Sequence, residues 1–138
     1  MPAVCSETSS SPLIDLVPVV YAVPHRFEYE KTQGSMENWE SYGRWQCSLL
    51  EGRDLLPEEL RAEVHRRTDA LGTPREKVRA LYDYLGETTR YISIQLGIGG
   101  LQPMPAEEVF RTKFGDCKAL SNYLKACLRS AASPPTTR

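Results

Sequence analysis

Apolar positions recur at helical spacing in three stretches of the second half of the chain, and each stretch carries its own start and stop signals. In the first, Pro57 fits the opening position of a helix, Glu58 and Glu59 suit its positive end, and Leu60, Val64 and Leu71 form the apolar stripe. Gly72 is expected to close it, and His65, off the stripe among Glu63, Arg66 and Arg67, reads as a solvated surface histidine. In the second, Thr73-Pro74-Arg75-Glu76 is a capping box with proline at the first helical position. Val78, Leu81, Tyr82 and Leu85 follow it, and Gly86 is the expected end. The third runs through Leu120, Leu124, Cys127 and Leu128, with Cys117 on the same side. A shorter helix is expected from Pro105 through Glu107, Val109 and Phe110.

Elsewhere the periodicity changes. Thr89 to Leu96 alternates Tyr91, Ser93 and Gln95 against Ile92, Ile94 and Leu96, a strand pattern, and Gly97 to Gly100 reads as a flexible turn. Leu13 to Tyr21 is β-branched but broken by Pro18, so an extended or edge segment is expected there, and Pro24 to Glu30 suits a short strand. Ser35 as N-cap would open a helix through Trp39, Tyr42 and Gln46 to Leu49, its aromatics packing into a core rather than stacking on a ligand. Gly52-Arg53-Asp54 is a turn, and residues 1–12, rich in serine, are expected to be disordered. The fold class that results is α+β and mainly helical, with about three short strands, none clearly paired to its neighbour.

The composition of the 138 residues narrows the functions available. Apolar residues make up 41%, charged residues 25% and the formal net charge is −1, values of an ordinary single-core globular domain. No basic surface points to nucleic acid, no apolar run reaches the ~20 residues of a membrane-spanning helix, and the N-terminus lacks the pattern of a signal peptide. The four cysteines, Cys5, Cys47, Cys117 and Cys127, include no CxxC pair and have no histidine nearby in sequence. Neither a metal site nor any other cofactor is expected. The Gly97 to Gly100 run lacks the strand–GxGxxG–helix context of a dinucleotide loop.

The chemistry concentrates at Lys113-Phe114-Gly115-Asp116-Cys117-Lys118. Gly115 permits a sharp turn and Asp116 can cap the helix that follows. Cys117 would then lie in the first turn, where unpaired N–H groups and the helix dipole favour a thiolate, with Lys118 acting in the same direction. Free amides there could also hold an oxyanion. The alternative is a small packing residue, inert and buried.

Tyr84-Leu85 and Arg90 to Gly100, followed by Gln102-Pro103, Pro105-Ala106 and Phe114-Gly115-Asp116-Cys117-Lys118, resemble the transglutaminase-like superfamily, whose core is papain-like. The resemblance is densest from about Leu71 to Leu128. It is closest to bacterial multidomain members that carry an N-terminal β domain. It implies that Cys117 is a nucleophile that attacks a glutamine side-chain amide or a peptide bond to form a thioester, with a protein or peptide as substrate. It also implies a downstream histidine as general base, an aspartate that orients it, and the Cys117 amide as an oxyanion donor. Gln95 is a candidate second donor, or else a polar residue on the open face of a strand. Members of this group are often exported, so the resemblance also implies a periplasmic or surface-exposed parent protein.

The sequence departs from that pattern, because neither His nor Asp follows Cys117 and the only histidines are His25 and His65. The expected organisation is therefore partial. Residues 1–12 would be a tail, 13–56 the end of an upstream β domain with a linker helix, 57–130 the helical N-terminal half of the transglutaminase-like domain without most of its antiparallel sheet, and 131–138 an irregular tail. A non-catalytic interaction module on the same scaffold is the alternative function.

Overall fold

The computed structural model describes residues 11–133. Cys5, nearly all of the expected N-terminal tail and residues 134–138 lie outside the described residues.

A helical turn, a hairpin and a helix come first. Leu13–Leu16 form a single helical turn (α1) rather than the start of an extended segment, and the residues after it reach β1 without pairing to any strand among the described residues. Strand β1 (Arg26–Tyr29) pairs antiparallel with β2 (Thr32–Ser35), in a register running from Arg26 opposite Ser35 to Tyr29 opposite Thr32. The two-residue turn between them places Glu30 and Lys31 at φ 47° and 66°. A type I′ hairpin requires left-handed backbone at both positions, where Asn and Gly are the usual residues. Its absence of Asn-Gly hides this hairpin from the sequence.

Ser35 ends β2 instead of capping a helix, and its hydroxyl donates to the His25 carbonyl at 3.0 Å. The cap is Asn38, whose Oδ1 accepts from the Ser41 N–H at 2.8 Å while Ser41 Oγ accepts from the Asn38 N–H at 3.3 Å, and α2 spans Trp39–Ser48. The expected aromatic packing holds for Trp45 and fails for Trp39, which is 89% exposed. Trp45 meets Phe27 edge-on with ring centroids 4.7 Å apart, and its Nε1–H donates to Thr32 Oγ1 at 3.1 Å. The Phe27 ring in turn covers Gly34, where a Cβ would lie 2.3 Å from Phe27 Cζ, so only glycine fits opposite that ring.

The helical core occupies the rest. It is built from α3 (Glu58–Thr68), α4 (Pro74–Thr88), α5 (Ala106–Thr112) and α6 (Cys117–Ala131). Helix α3 stops four residues before Gly72: the Thr68 hydroxyl turns back to the Val64 carbonyl at 2.8 Å, and the Asp69 N–H makes the last helical bond. His65 is not solvated as expected, since its Nδ1 lies 3.0 Å from Asp69 Oδ1 and its side chain is 15% exposed. The capping box of α4 forms as the sequence indicates, but Gly86 lies inside the helix. The buried face of α4 is Leu81 and Tyr84, with Val78 and Tyr82 exposed.

On α6 the buried positions are Ala119, Asn122, Tyr123, Ala126, Cys127 and Ala131, while Leu120, Leu124 and Leu128 are only partly buried. Three alanines on the inner face let α3, α4 and α5 approach closely, and the larger leucines are displaced to its margins. Cys117 is consequently exposed, not on the buried side.

Burial pushes the Cys127 thiol up to about 12, from an ordinary 9.0. A raised pKa means that the stabilisation is complete below the unfolded value and lost as pH rises through the folded one. Between pH 9 and 12 the unfolded chain gives up this proton and the folded chain keeps it, so stability is expected to fall by about 1.4 kcal/mol per pH unit. Urea unfolding from pH 8 to 10.5 checks this, and Cys127→Ala should flatten the slope.

The two short strands β3 (Arg90–Tyr91) and β4 (Phe114–Gly115) pair in parallel beside α6. The expected strand over Thr89–Leu96 is thus cut to two residues, because Ile92 to Leu96 has no partner strand among the described residues to pair with. Gly97–Gly100 is a 3₁₀ turn.

Candidate active site

The strand pair fixes the approach to α6. The Arg90 N–H donates to the Lys113 carbonyl at 2.9 Å and the Ile92 N–H to the Gly115 carbonyl at 3.0 Å. Lys113 takes up the left-handed conformation that ends α5. Gly115 is buried, and a Cβ there would lie 2.9 Å from the Ala119 Cβ, so the glycine lets the chain cross closely over the first turn of α6.

Asp116 is the N-cap the sequence indicates. It is 7% exposed, and its Oδ1 accepts from the Ala119 N–H at 2.9 Å. Burial works against its charge, but the Lys118 ammonium and the Ala119 amide outweigh burial and hold its carboxyl below the usual range. The Lys118 ammonium is therefore bound to Asp116 rather than free to act on Cys117. Cys117 is the first residue of α6, exposed, and its N–H has no acceptor among the described residues. An exposed sulfur and an unpaired amide at a capped helix start are the two elements a thiol nucleophile with an oxyanion donor requires.

A groove of about 250 Å³ adjoins this turn, with Ile92, Ile94, Leu96, Met104 and Phe114 in its walls beside Gly115 and Asp116. Alternation in the 92–96 segment turns Gln95 away from it. Gln95 is exposed and makes no side-chain hydrogen bond among the described residues. Among the described residues neither imidazole hydrogen-bonds to the Cys117 sulfur, and His65 bonds instead to Asp69. Among the described residues no group of three or more His, Cys, Asp or Glu side chains is placed to hold a metal ion, and no helix is long and apolar enough to cross a membrane.

The turn at Arg53 and Asp54 makes contacts near the site that the sequence pattern does not indicate. The Arg53 carbonyl accepts from the Ala106 N–H at 2.8 Å and from Asn122 Nδ2 at 2.7 Å, tying the turn after α2 to α5 and α6 at once. The Arg53 guanidinium donates to Gln102 Oε1 at 2.7 Å at the edge of the groove. Next to it, Asp54 accepts from Arg129 at 2.6 Å.

A solved structure from Parabacteroides distasonis, named a "putative protease", matches the chain at a TM-score of 0.56 and 21% identity, over 67% of this chain and 19% of that protein. The likeness is one of fold. The chain spans about a fifth of that protein's length. No protein-family model and no curated protein matches the chain.

Proposed function

We propose that Cys117 is the nucleophile of a transglutaminase-like cysteine enzyme that transfers or hydrolyses the acyl group of glutamine side-chain or peptide amides. The observation that carries this reading is an exposed thiol on the first residue of α6, directly after a buried, ion-paired cap and with its own N–H unpaired. The name of the Parabacteroides protein, "putative protease", supports amide chemistry on this fold. In the reaction the thiolate adds to the amide carbon, and the Cys117 N–H stabilises the oxyanion. The C–N bond then breaks as the amine leaves with a proton from an imidazolium. Water or a second amine attacks the thioester and releases the sulfur.

The base this reading requires is a histidine, and neither His25 nor His65 hydrogen-bonds to Cys117 among the described residues. Residues 57–130 are then the helical half of the catalytic domain and 13–56 the end of an upstream domain with its linker helix. The Cys117 amide is the oxyanion donor, and Gln95 is the candidate second donor.

Iodoacetamide labelling at neutral pH, read by mass spectrometry, tests the nucleophile. Cys117 is expected to label about tenfold faster than Cys47, which is also exposed, and buried Cys127 not at all. The isolated chain is expected to show no amidase or transamidation turnover, because a thiol without its base retains little acyl-transfer rate. Labelling of Cys117 no faster than Cys47 would leave the second reading, a non-catalytic interaction module, which the lack of an imidazole partner favours. Turnover that disappears in Cys117→Ala would show instead that a base acts within this chain.

A further inference from the structure

We propose that the groove beside β4 binds an apolar residue that carries a carboxylate, with the Arg53 guanidinium as the recognising group. The walls supply the apolar half of this preference through Ile92, Ile94, Leu96, Met104 and Phe114, and about 250 Å³ suits one residue rather than a larger ligand.

The charges of the groove supply the other half. Its lining holds three ionisable side chains, Arg53, Glu108 and Asp116. Asp116 is already matched by Lys118 and the first-turn amides, and Glu108 faces Arg111 at 3.7 Å. Arg53 alone lacks an opposite charge among the described residues; its one side-chain partner is the neutral Gln102. That single bond uses one of the two Nη2 hydrogens and fixes the plane of the guanidinium, leaving the fork that contains the other Nη2 hydrogen for a bidentate acceptor. The backbone of Arg53 is equally fixed, by Ala106 and Asn122. A half-buried guanidinium held in place at the edge of an apolar groove, with no counter-ion, is the arrangement that selects a carboxylate over its amide.

This site does not depend on the reactivity of Cys117, since a non-reacting acid reports on it without turnover. Titration calorimetry of the whole chain with N-acetyl-leucine and with N-acetyl-leucine amide is the test. The acid is expected to bind about tenfold tighter than the amide, the difference a charge-assisted hydrogen-bond pair supplies. Arg53→Met keeps the backbone carbonyl that ties α5 and α6, and is expected to abolish the preference. Arg53→Lys, with charge but no fork, is expected to keep a smaller part of it. A peptide ending in leucine that binds more tightly than N-acetyl-leucine identifies a peptide C-terminus as the source of the carboxylate. Equal binding identifies a free small acid. Acid and amide binding alike in the wild-type chain, binding of neither, or an Arg53→Met chain that still prefers the acid would each overturn the proposal.

Discussion

Replacing Tyr123 by alanine is expected to cost about 3–5 kcal/mol, a large share of the 5–15 kcal/mol that holds a domain of this size folded. Tyr123 is the largest of the fully buried side chains, 1% exposed, on the face of α6 that packs against α3 and α4. Its surroundings are dry: burial, with Cys127 and Tyr84 as neighbours, pushes the phenol well above its ordinary 10.0. Deleting the ring leaves a cavity where Leu60, Val64, Leu81 and Tyr84 converge with α6, and a closely packed alanine-lined interface has little freedom to collapse into it. Tyr123→Phe keeps the ring and should cost no more than about 1.5 kcal/mol. Urea midpoints of the two variants separate ring volume from hydroxyl. A midpoint for Tyr123→Ala no lower than that for Tyr123→Phe would place this residue outside the core that holds the helices together.

The same helix shows what a sequence discloses and what it withholds. Its start was legible because every cause is local: a glycine, a carboxylate able to accept first-turn amides, then the cysteine. Its inner face was not, because apolar periodicity selects the leucines, whereas close helix packing buries Ala119, Ala126 and Ala131 and leaves Leu120 and Leu124 at the margin. The same rule misread α4, where Tyr84 and not Tyr82 is inside. Alternation from Tyr91 to Leu96 correctly marks an extended stretch with two faces, but a strand exists only where another strand pairs with it, and β4 reaches no further than Gly115. Arg53 was the least legible. Its partners lie 49 and 69 positions away in Gln102 and Asn122, and nothing in a Gly-Arg-Asp turn announces a carbonyl that fastens two distant helices.

Asp116→Ala is expected to remove about 2–3 kcal/mol, combining the loss of a helix cap with the loss of a charge-assisted hydrogen bond to Lys118. Asp116→Asn keeps an oxygen that can cap Ala119 and loses only the charge, so about half of that loss is expected from it. The two variants also separate by pH. The folded carboxyl titrates below its ordinary 3.8, so its stabilisation is complete above that value and is lost as pH falls through the folded pKa. Wild type should therefore lose stability below pH 4 more steeply than Asp116→Asn, the two curves converging at low pH. The consequence for the candidate nucleophile is separate from stability. The cap holds the first turn whose unpaired amide lies at Cys117, so fraying that turn in Asp116→Ala should slow Cys117 labelling while Cys47, on α2, labels as before. If Cys117 labels equally fast in Asp116→Ala under conditions where the chain stays folded, the capped helix start is not what makes that thiol reactive.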